Sequence, residues 1–139
     1  MNSRNIKLIV FLALLIHGIG HFQGVVASLG VKINKADPAK SWLFKDFSER
    51  TNKTICFILF LTTGVLGILT ALGFKDILVA NESWQTLAVI TAFLSTTCLI
   101  IFPNGFALFF NKVGAIAVNL FIYYSILFAQ KWPTEIFQE

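Results

Sequence analysis

Polar and apolar positions divide the chain into long apolar runs joined by shorter polar connections. Four runs, over about residues 6–29, 54–74, 84–102 and 106–128, are apolar almost throughout. Each is close to the roughly 20 residues that a helix needs to cross the hydrocarbon core of a membrane. The pattern predicts an all-α protein: a four-helix transmembrane bundle of one domain over residues 1–139, with successive helices running up and down.

The connection between the first two runs is the longest. Asp37-Pro38 is a helix start signal, since Asp is a common N-cap residue and Pro is favoured at the first helical position. After it, Trp42, Leu43 and Phe47 can share one face, which favours a short helix lying in the membrane interface. A packed loop anchored by Trp42 is the alternative.

Composition supports a membrane protein. Hydrophobic residues make up 56% of the chain and charged residues 13%, whereas soluble domains have about 25% charged residues. Soluble, disordered and disulfide-rich secreted proteins are therefore excluded. The net charge of +4 comes from basic residues in the connections, where topology and anionic headgroups explain them, so no nucleic acid partner is expected. The long connection carries the larger share, which predicts that it faces the cytoplasm.

Two histidines are the titratable side chains that stand out within the apolar runs. No Asp, Glu, Lys or Arg lies in the middle of a run, which disfavours a pump or an ion-coupled transporter. His17 and His21 are four residues apart and share one helix face. Gly20 and Gly24 form a GxxxG pair beside them, and small residues allow another helix to approach closely. We therefore expect this face to point into the bundle.

Three interpretations of the histidines stay open. They can hydrogen-bond to neighbouring helices, because an unpartnered imidazole in hydrocarbon is costly. They can line a pocket for a lipid-like headgroup, a quinone or another small molecule. They can also bind haem or a metal, since a spacing of four suits two ligands of one ion. No third His, Asp or Glu lies at that depth, so no complete metal site is predicted.

Polar side chains of the other three helices fall near the same depth. With a rise of about 1.5 Å per residue, Thr63, Ser95 and Asn119 reach the level of the histidines. This predicts a polar pocket in the bundle core that opens towards the long connection and is formed by His17, His21, Asn119, Thr63 and Ser95. The alternative is that the hydroxyl groups bond to their own helix backbone.

Small residues and cysteines complete the expected packing. Gly67 and Ala71 form a second small-residue face, which predicts close contact between the first two helices through Gly20, Gly24, Gly67 and Ala71. Cys56 and Cys98 lie near one membrane surface. A disulfide between them is one hypothesis, but separate thiols are favoured because the predicted side is cytoplasmic.

The segment His17-Gly18-Ile19-Gly20-His21, the long first connection and the four short helices resemble the DoxX-like group of small bacterial membrane proteins. The likeness covers the chain as topology and about residues 15–24 as a motif. It implies a multi-pass protein of the bacterial inner membrane. Some members are associated with thiosulfate:quinone oxidation, so the resemblance also implies a quinone or small redox partner, with His17 and His21 as the matching residues.

The sequence leads to three functional hypotheses. The first is a non-catalytic protein that binds a lipid-like or quinone-like molecule in the polar pocket. The second is a membrane redox component that binds haem or metal through the histidines. The third is an accessory subunit of a larger membrane complex, or a homo-oligomer, that associates through the face of Gly20 and Gly24. Catalytic activity and the identity of a cofactor stay open.

Overall fold

The structure is a computed structural model that describes residues 3–31, 39–106 and 108–128. In these ranges all regular structure is helical. The helices are α1 (Ser3–Gly20), α2 (Phe22–Ser28), α3 (Glu49–Phe74), α4 (Trp84–Ile101) and α5 (Phe109–Ile122). A short 3-10 turn (Asn81–Ser83) precedes α4, and a π-helical segment (Tyr123–Phe128) continues α5.

Four helical segments are long and apolar enough to cross a membrane. They are Arg4–Ser28, Glu49–Phe74, Trp84–Ile101 and Phe109–Leu127. The predicted all-α, four-helix architecture is confirmed, and it is compatible with a multi-pass integral membrane protein. Around the bundle, α1 packs against α3, α3 against α4, α4 against α5, and α5 against α1, while α2 packs on α3.

Glycine residues set the distance between α1 and α3. A Cβ atom on Gly18 would lie 2.7 Å from the backbone nitrogen of Ile68, and one on Gly67 would lie 2.6 Å from the Cα of Gly18. Real Cβ atoms do not approach backbone this closely, so only glycine fits at either position. The backbones of the two helices therefore touch, as small residues permit between helices in lipid.

The predicted first helix over 6–29 is interrupted at His21, between α1 and α2. The His21 N–H donates to the carbonyl of Gly18 (3.2 Å), and the Gly24 N–H donates to the carbonyl of His21 (3.0 Å). Both bonds span three residues rather than four, so the chain tightens locally as in a 3-10 turn. Gly18 and Gly20 precede the break, and glycine has low helix propensity.

Two predicted helix boundaries are corrected. The second helix begins at Glu49 rather than at residue 54, because Ser48 caps it: the Ser48 hydroxyl accepts from the N–H of Thr51 at 3.1 Å. The cap satisfies one of the backbone donors left over at a helix start. The fourth helix begins at Phe109 rather than at residue 106, because Phe106 is buried in the apolar core ahead of the helix.

The first connection has no helix in its described part. Asp37 and Pro38, the predicted helix start, lie outside the described residues, and residues 39–48 form turns and bends. The indole N–H of Trp42 donates to the carbonyl of Ile100 at 2.6 Å, which uses one of the carbonyls left over at the end of α4. The prediction of an interfacial helix over Trp42, Leu43 and Phe47 is therefore wrong. The alternative, a packed loop anchored by Trp42, is the observed arrangement.

Candidate ligand site around the two histidines

His17 and His21 lie on the inner side of the first span, on either side of Gly18 and Gly20. The exposed fraction of the residue is 7% for His17 and zero for His21. Their ring centroids are 5.0 Å apart, with the ring planes nearly perpendicular at 89°. The expectation that this face points into the bundle is confirmed for both residues.

His21 is enclosed by two phenylalanine rings. Its ring centroid is 5.8 Å from that of Phe60 on α3 and 5.1 Å from that of Phe106, which precedes α5. The rings of Phe60 and Phe106 are 5.3 Å apart. Gly24 and Gly105 lie directly against the Phe60 ring, where a Cβ atom on either would clash with it. These two glycines therefore leave the space in which Phe60 reaches His21.

Several polar atoms in this region lack a hydrogen-bond partner among the described residues. They are Nε2 of His17, both ring nitrogens of His21, and Oδ1 of Asn119. A neutral imidazole carries one N–H donor and one acceptor nitrogen. In a low-dielectric interior, an unpaired polar group costs about 1–3 kcal/mol. The two imidazoles therefore hold unused capacity to donate and to accept a hydrogen bond.

Asn119 joins α5 to α4. Its Nδ2 donates to Oγ of Ser95 at 3.0 Å and to Oγ1 of Thr96 at 3.2 Å. The Thr96 hydroxyl also lies 3.3 Å from the hydroxyl of Tyr123. Two of the five residues of the predicted pocket, Asn119 and Ser95, are therefore brought together. The sequence analysis missed Thr96 and Tyr123, although Thr96 is adjacent to Ser95 and could have been included on that ground.

Thr63 joins α3 to α4. Its hydroxyl donates to the carbonyl of Leu59 at 2.7 Å, so it bonds to its own helix. It also lies 3.6 Å from Sγ of Cys98. Cys56 is elsewhere, with its thiol 3.8 Å from the carbonyl of Gly24. The two thiols are thus separate and buried, as favoured over a disulfide.

The predicted polar layer is assembled only in part. Asn119 meets Ser95, and Thr63 meets Cys98, but among the described residues no hydrogen bond links either pair to His17 or His21. The immediate neighbours of His21 are aromatic. The sequence did not identify Phe60 and Phe106, because fifteen phenylalanines give no signal for the ones that meet a histidine.

A cleft of about 180 Å³ lies between α1 and α5 and has His17 in its wall. Gly20, Phe106, Asn111 and Gly114 line it as well. The pocket was expected to open towards the long connection. The cleft found at that end, of about 790 Å³, is lined by residues such as Ser28 and Lys53, and neither histidine is among them. The opening beside His17 is therefore lateral, between two helices.

The small residues separate into two groups. Gly67 packs against Gly18, Gly24 lies against Phe60, and Ala71 is fully buried. A Cβ atom on Gly20, by contrast, would meet nothing within 4 Å. The expectation that Gly20 and Gly24 form one packing face is therefore wrong within this chain. The helix turns about 100° per residue, so Gly18 faces α3 and Gly20 does not.

The donor side chains bear on the third interpretation of the histidines, that they bind a metal. Among residues 3–31, 39–106 and 108–128, no group of three or more His, Cys, Asp or Glu side chains converges. No protein-family model, no curated protein and no solved structure matches the chain. The resemblance to DoxX-like proteins stays a prediction.

Proposed function

We propose that this chain is a bacterial inner-membrane protein that binds a small lipid-like or quinone-like molecule through His17 and His21. The observation that carries the proposal is the set of buried ring nitrogens without partners: both nitrogens of His21 and Nε2 of His17. Polar groups in a membrane interior are normally satisfied by the protein. A bound molecule with a hydrogen-bonding head would satisfy them.

The purely structural interpretation of the histidines requires partners on neighbouring helices. Asn119 and Thr63 have such partners on α4. The histidines instead meet each other and two aromatic rings. Ring contacts satisfy the apolar faces of an imidazole but not its nitrogens. This contrast between the histidines and the other polar residues favours a ligand-binding role over a structural role for the histidines.

The lateral cleft favours a molecule that comes from the membrane. His17 lines a cleft between α1 and α5, and 17% of the α5 span is buried, against 39% of the first span. A membrane-dissolved molecule can reach His17 from the side without passing through the connections. Phe106 lines the same cleft and contacts His21, so it links the cleft to the second histidine.

One observation favours a second candidate, association with another membrane chain. Gly20 and Gly114 line the same cleft, and a Cβ atom on either would meet nothing within 4 Å. Open small residues are typical of surfaces where transmembrane helices associate. Cross-linking of the protein in native membranes, with and without Gly20→Leu, tests this candidate, which predicts a cross-linked species that the substitution removes.

The binding proposal is tested by native mass spectrometry of the protein released from mild detergent. His17→Leu and His21→Leu remove the hydrogen-bonding groups at similar bulk, and Thr62→Val removes a hydroxyl from the exposed face of α3 as the matched control. We expect a bound mass in the wild type and in Thr62→Val that is lost in both histidine variants.

Thermal unfolding of the same three variants distinguishes a ligand-binding role of the histidines from a structural role. If the histidines bind a ligand, the ligand-stripped variants unfold at or above the melting temperature of the stripped wild type, because unpaired polar groups have been removed. A bare wild-type polypeptide whose melting temperature falls in both histidine variants would contradict the proposal.

A further inference from the structure

A second cleft continues the histidine cleft along the same pair of helices. It has a volume of about 250 Å³ and lies between α1 and the end of α5. Ala13 and Val118 line both clefts. Trp84, at the start of α4, lines the far one together with Ile9. The two clefts therefore form one groove along the α1–α5 contact, with His17 towards one end and Trp84 at the other.

The two ends of this α1–α5 groove differ in chemistry. The end at His17 also has the amide side chain of Asn111 in its wall. The other end is lined by aliphatic and aromatic residues, among them Ile9, Phe121 and Trp84. From Ile9 to His17 the helix rises about 12 Å. The groove is therefore polar at one end and apolar over a length of about two helical turns.

The charge of the lining residues and the volume of the apolar cleft restrict which molecules can bind in the groove. No Lys, Arg, Asp or Glu is among the described residues that line either cleft, so an anionic head would lack a counter-charge in a low-dielectric site. The apolar cleft, at about 250 Å³, is below the roughly 300–1,000 Å³ of sites for drug-sized ligands. It suits one hydrocarbon chain and not the paired chains of a phospholipid.

We infer that the α1–α5 groove binds one molecule of a neutral, single-tailed lipid. Its carbonyl- or hydroxyl-bearing head lies at His17 and Asn111, and its tail runs past Ala13 towards Trp84. The inference rests on the proposed function. It adds that the ligand has a neutral head and one tail, and it states which way the ligand lies in the groove. The molecule enters sideways from the bilayer, because α5 is the least buried of the four spans.

Tryptophan quenching by brominated lipids tests the orientation, since bromine quenches indole fluorescence on contact. The chain has three tryptophans, and Trp42→Phe with Trp132→Phe leaves Trp84 as the reporter. Trp84 is 7% exposed as a whole residue, so bulk lipid has little contact with it. The full chain is reconstituted in saturated phosphatidylcholine nanodiscs.

Four probes share one decyl tail. Two are a monoacylglycerol and a quinone with bromine at the tail end. The third is the same monoacylglycerol with bromine beside the head, and the fourth is an alkyl sulfonate with bromine at the tail end. We expect saturable quenching of Trp84 by the two neutral probes with tail-end bromine, and little from the head-labelled probe. The sulfonate should bind at least about tenfold more weakly.

Three substitutions locate the molecule. Ala13→Leu fills the junction of the two clefts and should abolish saturable quenching. Thr62→Leu adds bulk on the exposed face of α3 and should leave it unchanged. His17→Leu should weaken binding about tenfold, the factor for one lost hydrogen bond of about 1.4 kcal/mol. The comparison of the monoacylglycerol with the quinone then identifies the preferred head.

Other outcomes overturn the inference. Equal quenching by tail-end and head-end bromine, or tighter binding of the sulfonate, contradicts the orientation or the neutral head. Quenching that survives Ala13→Leu contradicts the groove. If a bound mass depends on His17 in native mass spectrometry but Trp84 is never quenched, the groove fails while the proposed function stands. If no bound mass depends on His17, the proposed function fails as well.

Discussion

The first transmembrane span has two neighbours that it contacts in opposite ways. Against α3 it approaches until the backbones touch, with Gly18 and Gly67 in direct contact. Against α5 it leaves two clefts of about 180 and 250 Å³. The glycines that line the open contact, Gly20 and Gly114, have space for a side chain, whereas those of the closed contact have none.

The two contacts differ in how closely the helices pack. Lipid tails are as apolar as leucine, so helices associate in a membrane chiefly through van der Waals packing and interhelical hydrogen bonds. The α1–α3 contact supplies the close packing. The α1–α5 contact is less closely packed, and its two clefts are where we propose that a ligand binds.

The largest expected effect comes from placing bulk in the closed contact. Gly18→Leu should prevent native folding in detergent, at a cost above about 3 kcal/mol, because the added atoms meet backbone that cannot move aside. Size-exclusion chromatography and thermal unfolding measure this. Gly114→Leu adds the same bulk to the open contact and should keep the fold. Equal loss of folded protein in both variants would contradict the contrast between the two contacts.

A smaller effect is expected where the obstructing group is a side chain. Gly24→Ala places a methyl group against the Phe60 ring, which must then shift, at a cost of about 1–3 kcal/mol. Gly20→Ala meets nothing within 4 Å and should be neutral or slightly stabilising, since alanine favours helix. Melting temperatures of the pair check this. A larger loss in Gly20→Ala than in Gly24→Ala would show that Gly20 serves internal packing after all.

The smallest effect concerns the hydrogen bonds that hold α5 to α4. Asn119→Leu removes two interhelical bonds to Ser95 and Thr96. The expected loss is about 1 kcal/mol, because interhelical bonds in membranes average below that value and two are lost. Ser125→Ala, which removes a hydroxyl bonded within its own helix, is the control. A double-mutant cycle of Asn119→Leu with Ser95→Ala measures the coupling, and an absence of coupling would contradict the bond.

Features that depend on one helix alone could be predicted from the sequence. The four spans follow from run length, and the shared inner face of His17 and His21 follows from their spacing of four. Asn119 and Ser95 were expected to point into the core as polar residues of apolar helices, and both are buried. These predictions use the helix rise and the lipid environment, and neither depends on the partner helix.

Features that depend on the rotation of one helix against another could not be predicted. The first helix contains Gly18, Gly20 and Gly24, and the sequence does not show which of them faces α3. The GxxxG pattern favoured Gly20 and Gly24, but Gly18 makes the contact because α3 presents Gly67 to it. The break at His21 and the phenylalanines around that ring likewise depend on tertiary packing.

The burial of both native thiols gives the protein a practical advantage for topology mapping. Cys56 and Cys98 have no exposed surface. A membrane-impermeant maleimide should therefore not react with the unmodified chain, and the background labelling should be low. A single cysteine introduced at exposed Lys45 or at exposed Glu82 can then be labelled from one side of the membrane at a time. The natural sequence can serve as its own blank, without the replacement of any native cysteine.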